Sequence, residues 1–406
     1  MMLFQLKDGL AEAVQQTQGY IYPNEINLIW SVVIVVYPYI TGLVAGAFIL
    51  ASLVRVFNVR ALEPTYRLSL LTALAFLLIA PLPLLVHLGH PERCYEVMMT
   101  PHVSSPMAVF GFVYAWYLMA VLLLELWFDY RRDFVTWSNE ATGLKRMFYR
   151  ALTLGVTDMS EPALHLDERM GKVITIIGIP SAFLLHGYVG FIFGSIKANP
   201  WWGTVLMPII FIFSAMVSGI ALLMFLYVVL SRIRKVEADL SCVEAIGKFL
   251  FYALVVDGTV EALDWIHRLY EAEESIDVLV LLASGKLAYS FLLVQVALGT
   301  VVPLALLGFM QVSAKRPAAA LRRVLYFVSS LLILVGVLAM RWNVVIGGQL
   351  FSKSLRGFTT YKLELIGSEG LFMSLALLIL PFAILAVFVK LFLPQPPAIA
   401  NRPGSP

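Results

Sequence analysis

Cysteine is nearly absent from this 406-residue chain, which has only Cys94 and Cys242. An iron–sulfur cluster takes four thiolate ligands, so the chain cannot hold one by itself. Charge is sparse as well. Asp, Glu, Lys and Arg make up 14% of residues, against roughly a quarter in a soluble domain, which excludes an ordinary globular protein. The formal net charge of +3 gives no reason to expect a nucleic-acid partner. Histidine numbers six: His87, His90 and His102 cluster in one connection, His165 lies in a charged linker, His267 at a helix end, and His186 alone within an apolar stretch. No pair of mid-membrane histidines on facing helices can be assembled, so no haem is expected, and no metal site is assigned. Short segments of alternating polarity are missing too. Unbroken apolar runs such as Leu68 to Leu85 exclude an outer-membrane barrel. Residues 1–20 contain Lys7, Asp8 and Glu12 and lack the apolar core of a cleavable signal, so the first span should itself direct insertion.

Apolar residues are present in quantity: 60% of the chain is hydrophobic and the mean hydropathy is +0.85. Apolar stretches at 28–54, 68–87, 106–128, 173–195, 203–230, 245–267, 287–312, 324–345 and 370–393 each approach the ~20 residues that a bilayer core requires. The fold class is therefore all-α, a polytopic transmembrane helical bundle of about nine spans. Its organisation reads as an outward amphipathic segment over 1–27, three transmembrane helices over 28–128, a cytoplasmic linker over 129–172, six further transmembrane helices over 173–393, and a disordered Pro-rich tail over 394–406. Twenty of the 29 Lys and Arg residues fall in the tail and the odd-numbered connections, and the positive-inside rule assigns that side to the cytoplasm. The N-terminus is then outside and the C-terminus inside, in a multi-pass protein of the inner (cytoplasmic) membrane.

The chemically distinctive connections lie on the other side. HLGHPERCYEVMMTPHVSSP at 87–106, SIKANPWWGT at 195–204 and RWNVVIGGQLFSKSLRGFTTYK at 341–362 are rich in His, Asn, Trp and Gly. A partner is expected to dock there, on Arg93, Lys197, Trp201, Trp202, Asn343 and Gln349, with at least one of the two Trp residues serving as a membrane-interface anchor. Within the sixth span, Asp257, Glu261, Asp264 and Arg268 share one helical stripe. A central carboxylate costs on the order of 2.5–3.5 kcal/mol to insert. Such a file suits a proton path through Asp257, Glu261 and Asp264, and the imidazoles His87 and His90 are the alternative proton exit. Interhelical ion pairing, Arg268 or Lys286 with Asp264, is the structural alternative. In the fourth span, His186 and Tyr188 could bond and protonate a carbonyl, Tyr188 lying roughly 13 Å in from the outer helix end.

HGYVGFIFGSIKANPWWGTVLMPIIFIFSAMVSGIALL at 186–223 resembles the NrfD/PsrC family of quinone-reactive membrane subunits. So do YPYITGLVAGAFILASL at 37–53, HLGHPERCYEVMMTPHVSSPM at 87–107 and RWNVVIGGQ at 341–349. Length and the last motif are most similar to the longer, DsrP-type members. The resemblance implies a subunit with no redox metal of its own, binding a quinone (menaquinone or ubiquinone). It also implies a partner, an iron–sulfur subunit of the four-cluster ferredoxin type on the outer face, within a respiratory, sulfur-linked complex. It places the quinone-contacting tyrosine on Tyr188 and further contacts near Asn24, Glu25 and Asn27; together with His186 and Trp30, read from the residues themselves, these form the expected quinone site. Better-known members carry Asp-Leu-Gly-Arg-Pro after the second span, where this chain has His87, Leu88, Gly89, His90 and Pro91. Two rival readings are a secondary transporter, which should show an inverted repeat with broken helices, and a purely structural anchor. On the orientation above, a membrane-impermeant thiol reagent applied to intact cells should reach Cys94 far more readily than Cys242.

Overall fold

A computed structural model describes residues 18–393 except 101, 272–274 and 314–316. The amphipathic helix expected within 1–17 and the tail at 394–406 lie outside the described residues. Among the described residues, eight helices are long and apolar enough to cross a membrane: α1 Val32–Arg55, α2 Arg60–His87, α3 Pro106–Glu140, α4 Glu161–Gly194, α5 Met207–Ile233, α7 Ala288–Val312, α8 Ala319–Gln349 and α9 Leu371–Phe392. The sixth expected span forms a ninth long helix, α6 Leu240–Glu271, whose stripe of charge keeps it outside that apolar set. It nevertheless runs the height of the bundle beside α5. At one end the Asp239 N–H donates to Tyr227 Oη at 3.2 Å, and at the other Thr204 Oγ1 donates to Asp264 Oδ1 at 2.6 Å.

α1 is the axis of the fold. Its residues from Val32 to Ser52 are all buried, and it packs against α2, α4, α5, α8 and α9. Helices in lipid gain little from the hydrophobic effect against one another, so close approach through small residues decides which pairs meet. At the α1–α5 crossing a Cβ on Gly46 would fall 2.7 Å from Gly219 Cα, and Gly299 of α7 lies equally close to Gly336 of α8. α5 to α8 form a second group that joins the first mainly through α1–α5, α4–α5 and α1–α8 contacts. Two helices carry π turns, α3 over Tyr117–Leu123 and α7 over Ala288–Val301.

The segments before α1 and between α2 and α3, α4 and α5, and α8 and α9 gather at one end. There Gln18–Gly19 pairs antiparallel with Gly357–Phe358, and Asn199 Nδ2 donates to Gly348 O at 2.7 Å. The opposite end holds charged pairs: Arg55 with Asp129 at 2.9 Å, and Arg67 with Asp133 at 2.6 Å. Helix α3 runs on through Glu140, and a short helix Gly143–Leu152 follows it. The 129–172 linker is thus largely helix, anchored where Arg131 Nε donates to Asp167 Oδ2 at 2.7 Å.

Gly46→Leu is expected to lower stability by about 1–3 kcal/mol through overpacking. Gly89→Ala, with open space around its position, should change stability by no more than about 0.5 kcal/mol. Thermal unfolding of the purified protein checks both. Orientation needs a better cysteine pair than the native one, because Cys94 is exposed while Cys242 is buried and would resist labelling from either side. In a Cys242→Ser background, Cys94 should react in intact cells, and a thiol added by Lys145→Cys on the exposed helix of the opposite end should react only after lysis. The reverse order would invert the topology.

Candidate functional site

The interior is organised around a cation. Arg341, near the end of α8, is fully buried. Its Nη2 donates to Ser214 Oγ at 2.7 Å and lies 3.1 Å from His186 Nε2, while the guanidinium carbon stands 4.0 Å from the centre of the Phe211 ring. Arginine only donates, so His186 Nε2 accepts, and the network assigns the imidazole proton to Nδ1. That atom has no partner among the described residues. His186 fits because α1 offers a glycine opposite it: a Cβ on Gly42 would lie 3.2 Å from His186 Cε1. Tyr39, Asp257 and Glu261 are within electrostatic reach of Arg341, and Asp257 Oδ1 is also unpartnered.

The α6 stripe faces this centre and continues to the loop-rich end. Gln295 Nε2 donates to Glu261 Oε2 at 3.1 Å, Asn343 Nδ2 to Gln295 Oε1 at 2.8 Å, and Ser290 Oγ to Asn343 Oδ1 at 2.6 Å. Arg268 Nε donates to Asp264 Oδ2 at 2.9 Å and also caps the Pro200 carbonyl, so the ion pair considered from sequence is present with Arg268 as the cation. A cavity of about 60 Å³ lies among Glu261, Asp264, Arg268, Gln295 and Asn343. At ~15 Å³ per probe sphere it has room for a few waters and none for a ring system.

At the loop-rich end, Asn24, Glu25, Asn27 and Trp30 line a cleft of about 370 Å³ together with Asn199, Trp202, Gln349 and Lys353. Its walls are tied down. Gln349 Oε1 accepts from the Trp30 N–H at 3.0 Å while its Nε2 donates to Trp30 O at 3.2 Å, and Glu25 accepts from Ser352 Oγ and from the Lys353 N–H at 3.1 Å. An open cleft offering an indole face and several amides matches a flat ring with two carbonyls. From its floor a file of rings leads inward: Trp30 meets Phe193 at 5.7 Å, Phe193 meets Phe211 at 5.6 Å, and Phe211 meets His186 at 5.7 Å. Alongside, burial raises the Tyr361 phenol above its ordinary range, so it stays neutral while its oxygen accepts the Val32 N–H at 3.0 Å.

The structure separates Tyr188 from this group. Two residues apart on α4, Tyr188 and His186 point about 200° apart. Tyr188 is half-buried and packs on Phe110 of α3, with ring centres 6.3 Å apart. Of the proposed docking residues, Arg93 and Lys197 are exposed and Gln349 half-buried, whereas Trp201, Trp202 and Asn343 are corrected to interior positions, 8, 6 and 2% exposed. Trp201 packs on Trp265 at 5.7 Å. Trp202 stacks on Trp30 at 5.1 Å and donates to Val344 O at 2.6 Å. These contacts leave neither ring free to dock a partner or anchor in lipid. His90 is exposed beside Glu92 at 3.0 Å, and His87 Nδ1 lies 2.8 Å from Glu369 Oε1. Sequence reasoning passed over Arg341, Gln295 and Glu369. Arg341 follows an apolar run directly, and that was the one available signal that it lies at membrane depth. Among the described residues no three His, Cys, Asp or Glu side chains are grouped to hold a metal ion.

Comparison with known proteins bears on this arrangement. The family described as polysulphide reductase, NrfD, matches residues 23–353, which takes in the cleft, His186, Arg341 and the α6 stripe. The C subunit of selenate reductase from Mesobacillus selenatarsenatis is 30% identical over 78% of this chain and 73% of its own length. Protein NrfD of Escherichia coli is 25% identical over 80% of this chain and 96% of its own length. The chain belongs to the polysulphide reductase NrfD family of multi-pass membrane subunits of reductase complexes.

Proposed function

We propose that this chain is the quinone-reactive subunit of a respiratory, sulfur-linked oxidoreductase in the cytoplasmic membrane. It passes electrons between the quinone pool and an iron–sulfur subunit of four-cluster ferredoxin type on the outer face. The observation that carries the reading is the cleft of Asn24, Asn27, Trp30 and Gln349 at the loop-rich end, continuous through aromatic rings with the buried His186–Arg341 pair. A bound quinol supplies two electrons and two protons. Trp30 offers a face for stacking, and the amides of Asn24 and Asn27 offer bonds to ring oxygens that strengthen as charge develops there. Arg341 holds His186 with one nitrogen accepting and the other free. Glu261, Gln295, Asn343 and Asp264, joined by hydrogen bonds and a water-sized cavity, carry protons toward the same face. Arg93 and Lys197, exposed at this end, remain available to a partner. A relative named for selenate reduction supports an oxidoreductase over a transporter.

Asn27→Leu should lower quinol-linked electron transfer about tenfold or more, equivalent to ~1.4 kcal/mol, with assembly intact. Parental rates would remove the cleft from the site. A second reading places the ring in the α3–α4 crevice beside half-exposed Tyr188. There Tyr188→Phe, which deletes one hydroxyl, would produce the tenfold loss and Asn27→Leu would not.

A further inference from the structure

A second cleft, of about 560 Å³, lies at the end of the bundle opposite Asn24 and Trp30, between the end of α5 and the start of α8. Its size falls within the roughly 300–1,000 Å³ of small-molecule sites, and the electron and proton chemistry above does not use it. Arg232 and Lys235 line it at the end of α5 and Arg323 at the start of α8, with Val228, Ser231 and Glu237 between them. Three cations against one carboxylate leave a net charge of +2. Arg323 Nη2 donates to Glu237 Oε2 at 3.2 Å, which engages one of the five donors of a guanidinium. Its Nε has no partner among the described residues. Glu237 is the one carboxylate among the described lining residues, so Arg232 and Lys235 face the cleft without a countercharge.

Lys235 occupies a backbone position that suits another residue. α5 ends in a Schellman turn, in which the Val236 N–H donates to Ser231 O at 3.0 Å and the Lys235 N–H to Arg232 O at 3.2 Å. The left-handed position in that turn usually holds glycine, because a Cβ there crowds the backbone. Lys235 takes it with a φ of 57°. A side chain kept where it strains the backbone points to a use for it, and lysine adds to glycine a long stem and an ammonium. Deeper in the bundle the two helices meet through apolar groups. Phe225 of α5 stacks on Phe327 of α8 with ring centres 5.3 Å apart, and Val324, Val328, Leu331 and Val335 lie exposed along one stripe of α8.

We propose that this cleft binds an anionic phospholipid, its phosphodiester held by Arg232, Lys235 and Arg323 and its acyl chains laid along the exposed stripe of α8. A guanidinium forks two parallel bonds to phosphate oxygens, an ammonium supplies a point charge, and the Ser231 hydroxyl adds a donor. A basic pocket between transmembrane helices at the membrane boundary is what an anionic headgroup recognises. A zwitterionic lipid would bring a like charge beside the three cations, and a free phosphate would leave the apolar stripe uncovered. The site depends neither on the quinone reading nor on which face is cytoplasmic.

The test uses the full-length protein, purified with the subunits that accompany it and stripped of lipid in detergent. It is titrated with dioleoylphosphatidylglycerol, dioleoylphosphatidylcholine or inorganic phosphate while native mass spectra and thermal unfolding are recorded. Phosphatidylglycerol should remain bound and raise the unfolding temperature; phosphatidylcholine and phosphate should do neither. Lys235→Gln should weaken phosphatidylglycerol binding about fivefold, whereas Lys145→Gln, which removes one charge from the same end outside the cleft, should change it by less than about twofold. Lys235→Gly, which suits the left-handed turn, should unfold at no lower temperature than the parent in the absence of lipid and still show the weaker binding. Equal losses in Lys235→Gln and Lys145→Gln would reduce the effect to general attraction at the membrane surface and overturn the site. Protection by phosphate or phosphatidylcholine equal to that by phosphatidylglycerol, or parental affinity in Lys235→Gly, would overturn it as well.

Discussion

The fold depends on what surrounds Arg341. A guanidinium taken wholly out of water costs several kcal/mol unless donors are met and countercharge is near, and here the answering groups come from different helices: His186 from α4, Ser214 and the Phe211 ring from α5, Asp257 and Glu261 from α6. These helices need not meet for apolar reasons alone, since lipid would cover them equally well. The buried cation therefore fixes their register, and Gly42 on α1 leaves the space that His186 occupies. Replacing one partner would strand a charge, whereas replacing an exposed pair such as Arg93–Glu96 would cost little.

From that centre, polar groups divide by height. Toward the loop-rich end run amides, water-sized space and the stripe of α6, with an open cleft at the surface. Toward the opposite end, the first four helices hold acids and arginines in close pairs. Rings fill the distance between cleft and centre. In the proposed function they keep water from the path while leaving a short separation between the place for a flat ligand and the place for its protons.

Much of this was legible in the sequence because membrane insertion writes a strong signal. Apolar runs near 20 residues gave the helices, and offsets along 257–268 gave the α6 stripe with Arg268 in it. What escaped notice depends on contacts between distant segments. Arg341 read as the first residue of a loop, since hydropathy falls there, and only the facing His186 and Ser214 reveal its depth. Trp201 and Trp202 read as docking residues, at least one of them a membrane-interface anchor because Trp is common there, yet Trp30, Trp265 and Val344, far away in the chain, enclose them. The separation of Tyr188 from His186 was available from helical geometry, but a shared motif invited reading them as one site.

The claim on which the functional account turns is where the quinone ring binds. Electron cryo-microscopy of the intact complex with a quinone-site inhibitor or quinone bound would locate it directly. The account predicts ring density in the cleft, against Trp30 and within hydrogen-bond distance of Asn24 or Asn27. Density confined to the α3–α4 crevice at Tyr188, or at the Arg55–Asp129 end of the bundle, would contradict it.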